Sequence, residues 1–374
     1  MKKTNLIFSS FAIIALLIMA GCAGTSTKNE TYTIGGIAPL TGDNASYGIE
    51  KQRISEISLA HVNEAWADKG MTLNIQWEDG ACKRENASTA AQKLIDIDKV
   101  QLIHGGFCNK ETLASAPITE AAGVILFSSA SSSPEVSAAG DFVYRNWPSD
   151  ASQGKRMAEL ASELGYTNIA VITEQQNDTL GISTVFKEKF EALGGTVTEE
   201  TYPSENIDFK TQLTKLNNND IDTFFLNPQT PIKAEIIIKQ MQELGIEGPF
   251  ILNNVSGTNL KVTKNFSEYL EGSFTLTPFI DEDSETLKTL KEEYLAIHGK
   301  DFNYLEYGAA AYDAVQILAD AIEAVGNNAA AVQAYFNDYP GYDGLMGPTN
   351  FDKNGDPING HSVFMISEGE LKLN

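Results

Sequence analysis

Cysteine, histidine and cationic side chains are all scarce in this chain, and each shortage removes a class of protein. Three cysteines among 374 residues cannot staple a disulfide-rich scaffold or fill a four-cysteine zinc site. The four histidines, His61, His104, His298 and His361, have no metal-ligand spacing with one another or with the cysteines, so no metal is expected. No Gly-x-x-x-x-Gly-Lys loop is present, which excludes nucleotide hydrolysis by this chain, and no cofactor is expected. Lysine and arginine total 27 against 50 acids, a formal net charge of −23. Such a surface repels phosphate backbones, so nucleic acid is excluded as a partner. Past the first twenty-two residues no apolar run reaches bilayer length, and no fixed-period repeat occurs.

What is present begins at the N-terminus. Lys2 and Lys3 precede an uncharged apolar run from Leu6 to Met19, then Ala20-Gly21-Cys22. A basic start, a short apolar centre and small residues at the cut describe an export leader over residues 1–21. The cysteine placed directly after it looks like the lipobox of bacterial lipoproteins, in which Cys22 becomes the acylated first residue. Buried acyl chains contribute about 0.8 kcal/mol per methylene, enough in combination to hold a soluble domain at a membrane surface. Residues 22–31 read as a small, polar tether. Without Lys2 and Lys3 the net charge becomes −25. The remaining cysteines, Cys82 and Cys108, follow expected strands at Leu73–Trp77 and Gln101–Ile103. In an oxidising compartment two such thiols can pair, closing a loop worth roughly 3 kcal/mol; the alternative is two free thiols packed as small apolar groups.

From Tyr32 onward strand and helix alternate. Strands are expected at Tyr32–Ile37, Leu73–Trp77 and Val124–Phe127, with helices at Ile49–Ala65 and Asn86–Ile97. After Trp147-Pro148 a second round starts: helix Ala151–Leu164, strand Asn168–Ile172, helix Ser183–Leu193, strand Thr223–Leu226, helix Pro231–Leu244 and strand Phe250–Leu252. Helix Tyr307–Val325 and strand Ser362–Ile366 follow, with a hairpin signal at Lys353-Asn354-Gly355-Asp356. The alternation predicts an α/β fold of two Rossmann-like lobes with parallel central sheets.

In open parallel sheets ligands sit beyond the carboxyl ends of the strands. Three loops there are rich in glycine, serine and asparagine: Pro39–Gly48, His104–Thr112 and Ser128–Glu135. Their hydroxyls, amides and free backbone N–H groups can receive a carboxylate without any catalytic base. Read alone, the serine run also suits turn chemistry and helix capping.

These pieces resemble the periplasmic binding proteins typified by the leucine/isoleucine/valine-binding (type I) class, the solute receptors of ABC importers. The resemblance rests on Ile37-Ala38-Pro39-Leu40-Thr41-Gly42 with Tyr47-Gly48, Asp79-Gly80-Ala81-Cys82 with Gly106-Phe107-Cys108, Ser128–Glu135, and Met346-Gly347-Pro348 followed by Phe351-Asp352 and Gly355. It implies two lobes joined by a three-segment hinge, the first spanning 32–147 and 279–346, the second 148–278 and 347–374. A ligand would be trapped as the lobes close. The resemblance places carboxylate donors at Asn109, Ala130 and Ser132 and an aromatic over the ligand at Tyr47. Phe107 and Tyr307 fall beside the side-chain pocket; Tyr307 also suits a core aromatic on a helix face.

Family members that bind amino acids carry an acid after the strand matching Phe250–Leu252, to pair with the ligand's ammonium. Asn254 stands in or next to that position here, and a neutral amide cannot match a buried cation. Asp178 is the expected substitute, with Thr230 offering a hydroxyl in the last second-lobe loop. His104-Gly105-Gly106 has the look of an esterase oxyanion loop, but no Gly-x-Ser-x-Gly elbow follows, so an enzyme is not expected. Asp352–Asp356 is only faintly like a calcium loop: its glycine is misplaced and the twelfth position is Val363. The expected protein is a monomeric, exported, lipid-anchored receptor at the outer face of the cytoplasmic membrane or in the periplasm. It would deliver a small amino-acid-like carboxylate to ABC permease subunits; the alternative is a sensor presenting its closed form to a signalling receptor.

Overall fold

The computed structural model describes residues 29–217, 220–358 and 360–374. The leader, Cys22 and most of the tether lie outside the described residues. Glu30 and Thr31, at the tether's end, already pair with Met71 and Thr72 as the start of the first strand.

Two sheets carry the fold. The first contains β1 (Glu30–Ala38), β2 (Met71–Asp79), β3 (Leu102–His104), β4 (Ile125–Ser128) and β5 (Val143–Arg145), all parallel, in the order β2-β1-β3-β4-β5. The second contains β6 (Asn168–Glu174), β7 (Thr196–Tyr202), β8 (Thr223–Asn227), β9 (Ile251–Leu252) and β10 (Phe274–Thr277). A small hairpin, β11 (Tyr342–Gly344) and β12 (Gly347–Thr349), precedes two late strands, β13 (Ser362–Ser367) and β14 (Glu370–Leu373). The late strands extend the second sheet antiparallel from β10, giving β14-β13-β10-β9-β8-β6-β7.

The strands are short apolar runs because both faces are covered. Period-two alternation divides each run between two cores. Ile34, Leu102 and Phe127 enter one core, while Ile37, Ile103 and Leu126 enter the other. In the second sheet Ile169, Val171 and Phe225 face one side and Ala170, Ile172 and Leu226 the opposite side.

Helices cover these faces. The first lobe carries α1 (Ala45–Trp66), α2 (Arg84–Asp96) and α3 (Asn109–Ala122). The second carries α4 (Asp150–Glu163), α5 (Asn177–Ala192), α6 (Lys210–Leu216), α7 (Pro231–Glu243), α8 (Asn254–Gly257) and α9 (Leu260–Asn265). The chain then returns to the first lobe with α10 (Glu285–His298), which packs Leu287 and Leu290 beside Ile54 and Ile57 of α1, and with α11 (Leu305–Val325) and α12 (Ala329–Asn337), whose Val315, Leu318, Val332 and Phe336 pack beside Ile34 and Phe127. Phe351 packs into that same core, its ring 5.5 Å from Tyr339. Gly355 accepts a backbone bond from Arg145 there, so the segment through Asp356 rests on the first sheet. The turn expected at 353–356 is flanked by an antiparallel bridge between Phe351 and Pro357. No described helix is long and apolar enough to cross a membrane.

Candidate functional site

Strand order fixes where a crevice must open. β1 has β2 on one side and β3 on the other, and β6 likewise separates β7 from β8. Connections leaving such strands diverge to opposite faces, and a gap is left at their carboxyl ends. The loops after β1 and β3, and those after β6 and β8, therefore form the two walls of the candidate site.

The first wall is held from beneath. The Asp79 carboxylate accepts from the backbone N–H groups of Leu40 and Ala81 at 2.8 and 2.9 Å and from the Thr41 hydroxyl. Burial alone would raise its pKa, but these bonds hold it below the usual value. The start of α1 lies so close to this loop that a Cβ on Gly48 would sit 2.0 Å from the Pro39 carbonyl oxygen, so glycine is required.

After β3, the buried Glu111 carboxylate accepts from the backbone N–H groups of Phe107, Cys108 and Cys82 at 2.9–3.0 Å. The Cys82–Cys108 disulfide is formed, with Cα atoms 5.5 Å apart, so the loops following β2 and β3 are tied covalently as well. These two cysteines and Glu111 form the one described cluster of metal-ligand type. Its thiols are spent in the disulfide and its carboxylate on backbone donors. Lys51 is buried below; loss of hydration lowers its pKa to about 7, against the opposing pull of Glu111.

Arg145 sets the serine loop. Its side chain is fully buried: Nη1 donates to the Ser131 and Ser133 carbonyls at 2.9 and 3.0 Å, Nη2 to the Ser137 hydroxyl, and Nε to Asp356 at 2.6 Å. The Asn109 Oδ1 accepts from Ser133 N–H at 3.0 Å, which leaves its Nδ2 as a donor. The Ala130 N–H makes only a 3.4 Å bond to the Ser128 hydroxyl. The Asp150 backbone N–H donates to the Ser132 carbonyl at 2.8 Å, and the Ser132 hydroxyl lies close enough to favour the charged form of Asp150.

Five aromatic rings close one end of this wall. Tyr47 stacks on Tyr304 with centroids 3.9 Å apart and meets Phe107 and Tyr307 at 5.8 and 5.9 Å. Phe107 lies 5.1 Å from Tyr307, and Tyr307 stacks on Trp147 at 4.6 Å. Burial, aided by Tyr47, pushes the Tyr307 phenol up to about 12.

The second wall uses its polar groups differently. The buried Asn253 donates to the Pro228 carbonyl and to Asn227 Oδ1, and accepts from both the backbone and hydroxyl of Ser256. Thr230 caps α7 by accepting from Lys233 N–H, and the Asn254 side chain accepts from Val255 N–H at 2.8 Å. Glu174 is buried and accepts from Gln229 N–H at 2.9 Å. Two acids remain for a ligand: Asp178, exposed in the first turn of α5, and Asp150, opening α4. Burial, and then the charge of Asp178, raise Asp150 to about 7, against the Ser132 hydrogen bond and Arg145, which lower it.

Of the residues expected from sequence, the structure brings Tyr47, Phe107 and Tyr307 into one cluster, and Asn109, Ala130 and Ser132 into one set of loops, with Asp178 in electrostatic reach of Asp150. Thr230 and Asn254 are engaged in capping and local turns. Trp147, Asp150 and Tyr304 join the site without having been expected. Trp147-Pro148 marks the lobe crossing in the sequence, but nothing local signals that Asp150 turns back toward Ser132.

Two mainly parallel sheets, each with a strand-order gap, and loops at their carboxyl ends rich in hydrogen-bond donors and aromatics have the architecture of a small-molecule binder. The profile of the family described as "Periplasmic binding protein" matches residues 31–370, and the chain belongs to that family. It is 26% identical over 352 residues to an amino acid binding protein of Pseudomonas aeruginosa, covering 92% of each. Among solved structures it is similar to a putative branched-chain amino acid ABC transporter protein from Rhodospirillum rubrum, with TM-score 0.82 at 22% identity, covering 92% of this chain and 100% of that one. It is also similar to a leucine binding protein from Thermotoga maritima, with TM-score 0.68 at 26% identity over 92% and 97% of the two chains.

Proposed function

We propose that this chain is the extracytoplasmic solute receptor of an ABC importer, anchored through acylated Cys22. It acts as a monomer, closes two lobes over a small amino-acid-like carboxylate, and passes it unchanged to the permease subunits. One lobe is residues 32–147 with 279–346, on which the segment through Asp356 also packs, and the other is 148–278 with the late strands of 362–373. The observation that carries this reading is the pairing of a donor-rich, internally braced wall with two acids on the facing lobe. The Asn109 amide, the Ala130 N–H and the Ser132 hydroxyl receive the carboxylate, while Tyr47, Phe107 and Tyr307 pack the ligand's body. Asp178, with Asp150 beside it, meets an ammonium. The amino acid and leucine binding named for its relatives supports an α-amino acid with an apolar side chain as the leading ligand.

Thermal unfolding with leucine and with its deaminated analogue 4-methylpentanoate tests the assignment. Saturation at a hundredfold over Kd adds about 2.7 kcal/mol of stability. Leucine is expected to raise the Tm, the analogue to do so far less, and mass spectrometry to recover the ligand intact. Equal shifts from both compounds would remove the role of Asp178. No shift from any amino acid or carboxylate, or chemical conversion of the ligand, would sink the proposal.

A further inference from the structure

A cavity of about 560 Å³, lined by none of the residues assigned to the cleft, opens against α4 and the crossing segments. Ser152, Lys155, Arg156 and Glu159 line it at helical spacing. At 100° per residue that face lies roughly 160° around α4 from Asp150, so one helix separates two sites. The opposite wall is apolar: Phe279 follows β10, while Met346, Pro348 and Ile358 belong to the stretch between α12 and β13. Ile358 is 57% exposed, an apolar side chain left at the mouth.

The polar side carries surplus positive charge in a strongly acidic protein. Lys155 has no carboxylate in ion-pair reach among the described residues. Arg156 turns one edge to Glu163 at 2.9 Å, and Glu159 is occupied by Lys189 at 3.2 Å. His361 also lines the cavity, its Nδ1 3.1 Å from the Ser152 hydroxyl. Burial drives its pKa down to about 3, so the ring is neutral at physiological pH. The volume lies within the usual range for small-molecule sites, and the lining combines an apolar wall with a few convergent polar groups.

We infer that this cavity is a second ligand site that takes a small amphipathic monoanion, its acidic head on Lys155 and Arg156 and its apolar body against Phe279, Met346 and Ile358. The site does not depend on what the cleft binds.

Methyl NMR of the mature protein, titrated with hexanoate and with neutral hexanamide, tests this. Saturable shifts of the Met346 and Ile358 methyls are expected with hexanoate, with hexanamide at least tenfold weaker. The pair Lys155→Ala and Arg156→Ala should weaken hexanoate at least tenfold while leaving the Tm unchanged. Ile358→Asp, which sets a negative charge at the exposed mouth, should do the same by an independent route. Shifts that fail to saturate, that survive in both variants, or that appear only at cleft residues such as Leu40 and Val255 would overturn the inference. Loss of cleft binding in Asn109→Ala, with the Met346 shifts intact, would support it.

Discussion

The two walls of the cleft spend the same kinds of side chain in opposite ways. In the first wall the charged groups Asp79, Glu111 and Arg145 sit behind the loops and bind their backbone, so the Asn109 amide nitrogen in front remains a donor. In the second, the amides of Asn227 and Asn253 bind each other and nearby carbonyls, and Thr230 and Asn254 serve local turns. Under the proposed assignment, charge from Asp150 and Asp178 meets the ligand there. One wall is pre-organised as a receptor, which lowers the ordering cost of binding; the other contributes electrostatic selection as the lobes meet.

Removing the brace should give the largest effect. Arg145→Met leaves Asp356 with only the Ser137 hydroxyl and takes a buried donor from the Ser131 and Ser133 carbonyls. Breaking a buried pair in this way costs about 3–5 kcal/mol, to be read from urea unfolding, and ligand affinity should fall with it. A loss under about 1 kcal/mol would mean the serine loop holds its shape unaided.

The second wall's charge is reached through pH. Asp150 has a folded pKa of about 7 against an ordinary 3.8, so between those values the folded state keeps a proton that the unfolded state has released. Stability from this group is complete below about pH 4 and is lost as pH rises to about 7. Asp150→Asn should flatten that part of the Tm–pH curve. The buried Asp313, also near 7 and bonded to the Leu345 and Met346 N–H groups, will keep part of the slope. A ligand ammonium should lower the Asp150 pKa, and an unchanged curve on saturation with an amino acid would place the amine elsewhere.

The smallest effect separates capping from contact. Thr230→Ala should cost about 1 kcal/mol of stability through the lost helix cap, with Kd nearly unchanged by calorimetry. Ser132→Ala should weaken a carboxylate ligand about tenfold, the worth of one hydrogen bond of about 1.4 kcal/mol. The reverse pattern would exchange the roles of the walls.

Strands such as Asn168–Glu174 and Thr223–Asn227 are legible in the sequence because burial on both faces makes them continuous apolar runs. The chain segment of α3 is harder to read: Pro117 and its mix of alanine and threonine blur the helical period. The edge strand β7, Thr-Val-Thr-Glu-Glu-Thr-Tyr, offers only alternation, and β10 is too short to stand out. In the site, the aromatic and serine-loop residues are visible as loop chemistry after strands. Tyr304 and Asp150 are not, because their partners lie across a lobe or a crossing.

The sequence by itself determined the alternation of strand and helix, the order of the two lobes, the loops that end at the cleft and the cysteines available to pair, since each follows from local burial and turn chemistry. Only the tertiary structure decided that Arg145 would reach Asp356, 211 positions away, that the Asp150 N–H would bond to the Ser132 carbonyl, and that one face of α4 would line a cavity. Those juxtapositions depend on strand order and on where the chain crosses between sheets, and no local property of the residues encodes them.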